Sequence, residues 1–128
     1  MSKKKASEIF SHSLHFSRVV LTLVVSKTFL SLTLVGNIII LGISYILYLI
    51  EKGVNPVFND YFDAVWWGFA TATNVGYGDI VPITTFGRCV GIGLMLLGTA
   101  LFAMYTALFA QALIEDEFLS LKKKKDHV

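Results

Sequence analysis

Nine residues, Thr71-Ala72-Thr73-Asn74-Val75-Gly76-Tyr77-Gly78-Asp79, close a stretch that carries no charge from Ala64 to Gly78. The glycines at 76 and 78 permit backbone angles closed to other residues, so successive carbonyls can be turned to one side. Carbonyl oxygens arranged in that way can replace the hydration shell of a cation. Side-chain chemistry has less to work with. Cys89 is the only cysteine, which excludes an internal disulfide and leaves no thiol pair for a metal. It has no partner base for nucleophilic work, and the long charge-free stretches hold no Asp, Glu or His. Gly91-Ile92-Gly93 is no dinucleotide fingerprint, because no strand pattern precedes it. An enzyme is therefore the weakest reading.

The elements that must position this backbone follow from where charge is missing. The chain of 128 residues is 55% hydrophobic and 16% charged, with a mean hydropathy of +0.67. A soluble domain averages about 25% charged residues, so these numbers describe an integral membrane protein and exclude disorder. No charged residue falls between Lys27 and Glu51, leaving 23 residues, or between Arg88 and Glu115, leaving 26. As helices these reach roughly 34 and 39 Å, against a hydrocarbon core of about 30 Å. The 15 residues from Ala64 to Gly78 would reach only roughly 22 Å. That is too short to cross, so the segment is expected to dip in and return.

Charge also sets the expected topology. Lys3, Lys4, Lys5, Arg18 and Lys27 precede the first span, and Lys122–Lys125 follow the second. Between the spans only Lys52 and Arg88 are basic. The positive-inside rule then puts both termini in the cytoplasm of a two-span protein of the cell membrane. The first span lacks the cleavage pattern of a signal peptide. Residues 7–26 mix apolar positions with Ser, His and Arg18, which suits an interfacial helix on the cytoplasmic face or a plain extension of the first span. The Lys122–Lys125 run reads as an orientation tag beside anionic lipid, not as a nucleic-acid patch.

The short segment has helix punctuation at its start. Gly53-Val54-Asn55-Pro56 is turn chemistry. Asn59 or Asp60 can cap a helix through Ala70, and Asp63 in its first turn suits the positive end of the dipole. The carbonyl end of that helix would then point into the membrane, where it favours a cation. Trp66 and Trp67 read either as interfacial anchors or as packing behind a pore.

Thr71–Asp79 resembles the potassium-channel filter string T-A-T-T-V-G-Y-G-D at eight of nine positions, with Asn74 in place of a threonine. Trp66-Trp67, Pro82, Gly87-Arg88-Cys89-Val90, Ser44-Tyr45 and Glu51-Lys52-Gly53 are similar to KcsA-like two-helix bacterial channels. The resemblance covers roughly residues 27–115. It implies an all-α membrane protein: two transmembrane helices flanking a re-entrant pore helix and filter, assembled as a homotetramer. It implies a pore domain at 28–115, with an outer helix at 28–50, a pore helix and filter at 60–79, and an inner helix at 87–114. Residues 1–27 would form a cytoplasmic segment and 116–128 a basic cytoplasmic tail.

Carried over by position, the resemblance makes Asn74, Val75, Gly76 and Tyr77 the carbonyl ligands of dehydrated K+, the only bound group implied. Gly78 would close the outer mouth, with Trp66, Trp67 and Asp79 supporting the filter and Asp79 accepting a hydrogen bond from Trp66. Asn74 puts the innermost ion site in question, because an amide is larger than a hydroxyl and also donates. Ala70 stands where similar channels carry a glutamate bonded to the Asp79 counterpart, so inactivation should differ.

In the second span Gly98 aligns with a hinge glycine of similar channels. Phe102 and Thr106 match cavity and inner-mouth positions, and Ala110 the bundle crossing; ordinary helix packing remains the alternative for each. Glu115, Asp116 and Glu117 would gather twelve carboxylates in four chains, with Arg18 and Lys27 as counter-charges and a pH-sensitive gate as the consequence. The expected function is passive, selective K+ conduction. The rivals are a weakly selective cation channel, through Asn74, and a non-conducting membrane scaffold.

Overall fold

The computed structural model describes residues 16–125. His12, His15, His127 and the Lys3–Lys5 cluster lie outside the described residues. Among those described, all regular structure is helical: α1 over residues 16–24, α2 over Lys27–Glu51, α3 over Tyr61–Ala72 and α4 over Thr85–Lys125. A turn at residues 25–26 separates α1 from α2, so residues 16–24 form a helix of their own and do not simply extend the first span. Ser26 starts α2 by accepting a hydrogen bond from the Phe29 amide at 3.2 Å, the N-cap arrangement that satisfies an otherwise orphaned donor.

Both α2 and the Thr85–Leu119 part of α4 are long and apolar enough to cross a bilayer. Only 22% and 11% of their most apolar stretches are buried within the chain. A core helix of a soluble protein would be mostly buried, so these two helices present their apolar surface outward, as spans do. The fold is all-α, with two membrane helices flanking a short third. The outer and re-entrant helices end within a residue or two of their expected limits. The inner helix does not: it continues past residue 114 to Lys125, across what was expected to be a tail. The end of a charge-free stretch marks where the bilayer stops, whereas Glu, Leu and Lys all favour continued helix.

The chain forms two compact units, Leu32–Met104 and the described residues on either side of it. In the first, α3 is held against both spans by small residues. Ile40, Leu47, Phe58, Ala64, Trp67, Ala72 and Leu94 make its core. Gly68 of α3 abuts the buried Ser44 hydroxyl of α2, and Gly91 of α4 lies under the Trp67 ring. A Cβ at Gly98 would sit 2.7 Å from the Ala72 Cα, so the expected hinge position is also where α4 touches the end of α3. In the second unit, Phe29 of α2 meets Tyr105 and Phe109 of α4 edge-on, with centroids 5.4 and 6.0 Å apart.

Gly98→Ala is expected to cost about 1–3 kcal/mol through overpacking. Gly42→Ala meets nothing within 4 Å and should be neutral or slightly stabilising, since alanine is the better helix former. Thermal unfolding of the two purified variants in detergent checks the contrast.

Candidate functional site

The segment from Thr73 to Asp79 is built by the helix before it. Asp60 caps α3 by accepting from the Asp63 amide at 3.1 Å, and the Asp63 carboxylate accepts in return from the Asp60 amide at 3.1 Å and the Asn59 amide at 2.8 Å. This reciprocal capping box fixes where α3 starts. At its other end the Asn74 amide donates to the Thr71 carbonyl at 3.1 Å and the Val75 amide to the Ala70 carbonyl at 3.0 Å. Asn74 itself has φ +58. Together these make a Schellman motif, whose left-handed position is usually glycine and sometimes asparagine. Asn74 is therefore the residue that ends α3, a role the filter comparison alone does not suggest.

One consequence concerns the carbonyls. The Gly76 amide also donates to the Ala70 carbonyl, at 2.9 Å, so three successive N–H groups, at 74, 75 and 76, reach back to α3. In a trans peptide the carbonyl lies opposite the N–H. The carbonyls of Thr73, Asn74 and Val75 accordingly point away from α3. Beyond them the backbone alternates: φ is positive at Asn74, Gly76 (+56) and Gly78 (+75), and not at Val75 or Tyr77. Alternation of the sign of φ is compatible with N–H groups gathered on one side of the chain. Val75 and Tyr77 are exposed on the single chain, at 54% and 65%.

Two side chains brace this strip. The Trp66 indole N–H donates to the Asp79 carboxylate at 2.9 Å, and its ring stacks on Tyr77 with centroids 5.4 Å apart and planes within 8°. One α3 residue thus holds both outer residues of the segment. Trp67 instead is buried in the core, at 5% exposure, and packs over Gly91. Phe102, Thr106 and Ala110 recur every fourth residue of α4 and are exposed, while Gly98 is buried against Ala72.

The return loop is anchored by a residue that the sequence places only at the exit of the first span. Glu51 is fully buried, and its carboxylate accepts from Asn55 Nδ2 at 2.8 Å, the Ile83 amide at 3.0 Å, the Thr84 amide at 3.1 Å and the Thr84 hydroxyl. Asn55 also donates to the Val81 carbonyl at 2.9 Å. Every group facing Glu51 is a donor, the complement of an ionised carboxylate. Gly87 packs so closely on it that a Cβ there would collide with the carboxylate. The lone signal in the sequence is an acid beside an apolar span followed four residues later by an amide.

A family model described as an ion channel matches residues 19–115. The chain belongs to this ion-channel family. The chain is 39% identical over 79 positions to the human potassium voltage-gated channel subfamily KQT member 4, covering 62% of this chain and 11% of that protein. They are 38% identical over 76 positions to a voltage-gated potassium channel of Aeropyrum pernix, covering 56% and 26%. A crystal structure of a voltage-gated K+ channel pore domain, closed and in lipid membranes, superposes with a TM-score of 0.50 at 39% identity, covering 58% of this chain and 86% of that one. The chain thus spans about a tenth to a quarter of these curated relatives and most of the isolated pore domain.

The Schellman assignment predicts an ordering of variants. Asn74→Gly should leave the thermal midpoint of the purified protein within error, whereas Asn74→Ala should lose about 1–2 kcal/mol for a Cβ in the left-handed region without a polar side chain.

Proposed function

We propose that four copies of this chain surround a common axis and pass K+ passively through the segment Asn74–Gly78. The observation that carries this reading is the orientation of the carbonyls at 73, 74 and 75, which follows from three amides bonded back to α3. With φ alternating through Gly78, the strip offers a ladder of oxygens on the side away from its supporting helix. A hard, weakly hydrated cation entering such a ladder exchanges water oxygens for carbonyl oxygens. One chain supplies one wall, so the carbonyls of several chains are needed to surround an ion. Fourfold assembly is the arrangement that the filter resemblance implies.

Each supporting part then has a stated task. Asn74, Val75, Gly76 and Tyr77 supply the ion ligands, and Gly78 forms the outer mouth. Trp66 holds Tyr77 and Asp79 at fixed spacing. Phe102, Thr106 and Ala110 face the cavity and inner gate, and Gly98, packed on Ala72, is the hinge beside them. The basic flanks favour a cytoplasmic location for both termini and anionic lipid beside them in the cell membrane. K+ is the only bound group that this mechanism requires.

Weak selectivity is the second reading, and Asn74 favours it. Its exposed carboxamide brings donors as well as an oxygen to the innermost position. Selectivity is expected to survive, because the outer carbonyls belong to Val75, Gly76 and Tyr77. Current reversal in a planar bilayer under a K+/Na+ gradient decides between the two. Reversal close to the K+ equilibrium potential is expected; reversal near zero contradicts strict selectivity. Gly76→Ala should abolish current, because an L side chain at φ +56 costs roughly 1–3 kcal/mol in each subunit.

A further inference from the structure

Arg18, one of the expected counter-charges, shares a groove with two of the carboxylates at the end of the inner span. Arg18, Thr22 and Ser26 of α1 and the turn after it line one side of this space of about 530 Å³, and Glu115 and Asp116 of α4 line the other. Glu117 is not among the groove residues. Three consecutive helical positions turn through about 200°, so α4 does not present its three carboxylates together. Arg18 and Thr22 stand one turn apart on the same face of α1. The Thr22 hydroxyl donates to the Arg18 carbonyl at 2.9 Å, so what it offers a ligand is an acceptor oxygen. Asp116 already has a partner within the chain.

The rest of the groove is apolar, formed by Val19, Leu23, Ala112 and Leu119. Its level in the bilayer follows from charge. Lys27 bounds the charge-free run of α2, and Glu115 bounds that of α4, so the groove lies where both spans leave the hydrocarbon. Outside the groove, Phe16, Leu21 and Val24 of α1 are exposed, an apolar surface suited to lipid at the same level. A ligand in the groove meets a guanidinium and carboxylates in one cavity. An anionic headgroup is repelled by Glu115 and Asp116, and a simple cation by Arg18. A zwitterion meets an opposite charge at both poles. In phosphoethanolamine only two carbons separate phosphate from ammonium, and that ammonium donates three hydrogen bonds, as a lysine does. The quaternary nitrogen of choline has no N–H to give.

We propose that this groove binds a phosphatidylethanolamine-type lipid of the cytoplasmic leaflet. Arg18 holds the phosphate, Glu115 and the Thr22 oxygen receive the ammonium, and an acyl chain lies along Leu23 and Ala112 toward the hydrocarbon. The bound lipid bridges α1 and the end of the inner helix. The inference rests on α2 and α4 being membrane spans that end on the cytoplasmic side, and it adds a lipid ligand to the conduction reading.

Native mass spectrometry of the whole chain tests the site. The protein is released from detergent that holds equal amounts of phosphatidylethanolamine, phosphatidylcholine and phosphatidylglycerol with the same acyl chains. The ethanolamine lipid should be retained in preference to the other two. Arg18→Gln and Glu115→Gln should each lower that preference by about three- to tenfold, the loss of one charge-assisted contact. Lys122→Gln, a charge change near the same end of α4 but outside the groove, should keep it. The oligomer mass in the same spectra shows that each variant is assembled. Equal retention of all three lipids, preference for phosphatidylglycerol, or a preference unchanged in both groove variants overturns the proposal. K+ flux in vesicles of phosphatidylcholine, with and without phosphatidylethanolamine, tests conduction separately. Flux with no headgroup preference in the spectra overturns the lipid site and leaves the pore standing. Headgroup preference with no flux in either vesicle overturns the conduction reading and supports the site.

Discussion

Backbone that leaves a helix within a bilayer must still satisfy its amides and carbonyls, because lipid offers no partners. The segment from Thr73 to Asp79 is such backbone, and most of the core unit can be understood as the means of supporting it. Its amides at 74, 75 and 76 are spent on the end of α3. Its carbonyls are left facing the other way, where only water, an ion or another chain could meet them. The polar groups that hydrocarbon would reject are thus sorted by direction, donors to the protein and acceptors to the opposite side.

That sorting places demands on each neighbour. The α3 helix must stop where it does, which the left-handed Asn74 enforces. It must also sit deep between the spans, which requires close approach at Gly68, Gly91 and Gly98. The outer end must not fray, and Trp66 holds it through a stack on Tyr77 and a hydrogen bond to Asp79. The return loop must be tied to the outer helix, and the buried Glu51 ties it through the Ile83 and Thr84 amides, the Thr84 hydroxyl and Asn55. A buried carboxylate is costly unless its hydrogen bonds are met; here four donors meet it.

Much of this was legible in the residues. Charge-free length marked the two spans and the short segment, because bilayer thickness imposes it directly. Asp60 and Asp63 announced the start of α3 through capping chemistry that is local to four residues. The motif Thr71–Asp79 was legible as a string, and the family match agrees with its resemblance. Three things were not legible. Asn74 looked like a ligand replacement, because its helix-ending role depends on bonds to Thr71 and Ala70 that only the folded turn brings into line. Glu51 looked like a flank residue, because its partners lie 32 and 33 positions away. The inner helix looked finished at residue 114, because hydropathy reports the edge of the membrane and not the end of the helix.

The central claim is that alternating backbone turns a column of carbonyls onto ions that have shed their water. Anomalous diffraction from crystals of the assembled protein grown in Rb+ or Tl+ measures this most directly. The account predicts a row of anomalous peaks on the fourfold axis, level with the carbonyls of Asn74 to Tyr77. An axis without such peaks, or a single diffuse peak inside the level of Asn74, would contradict it.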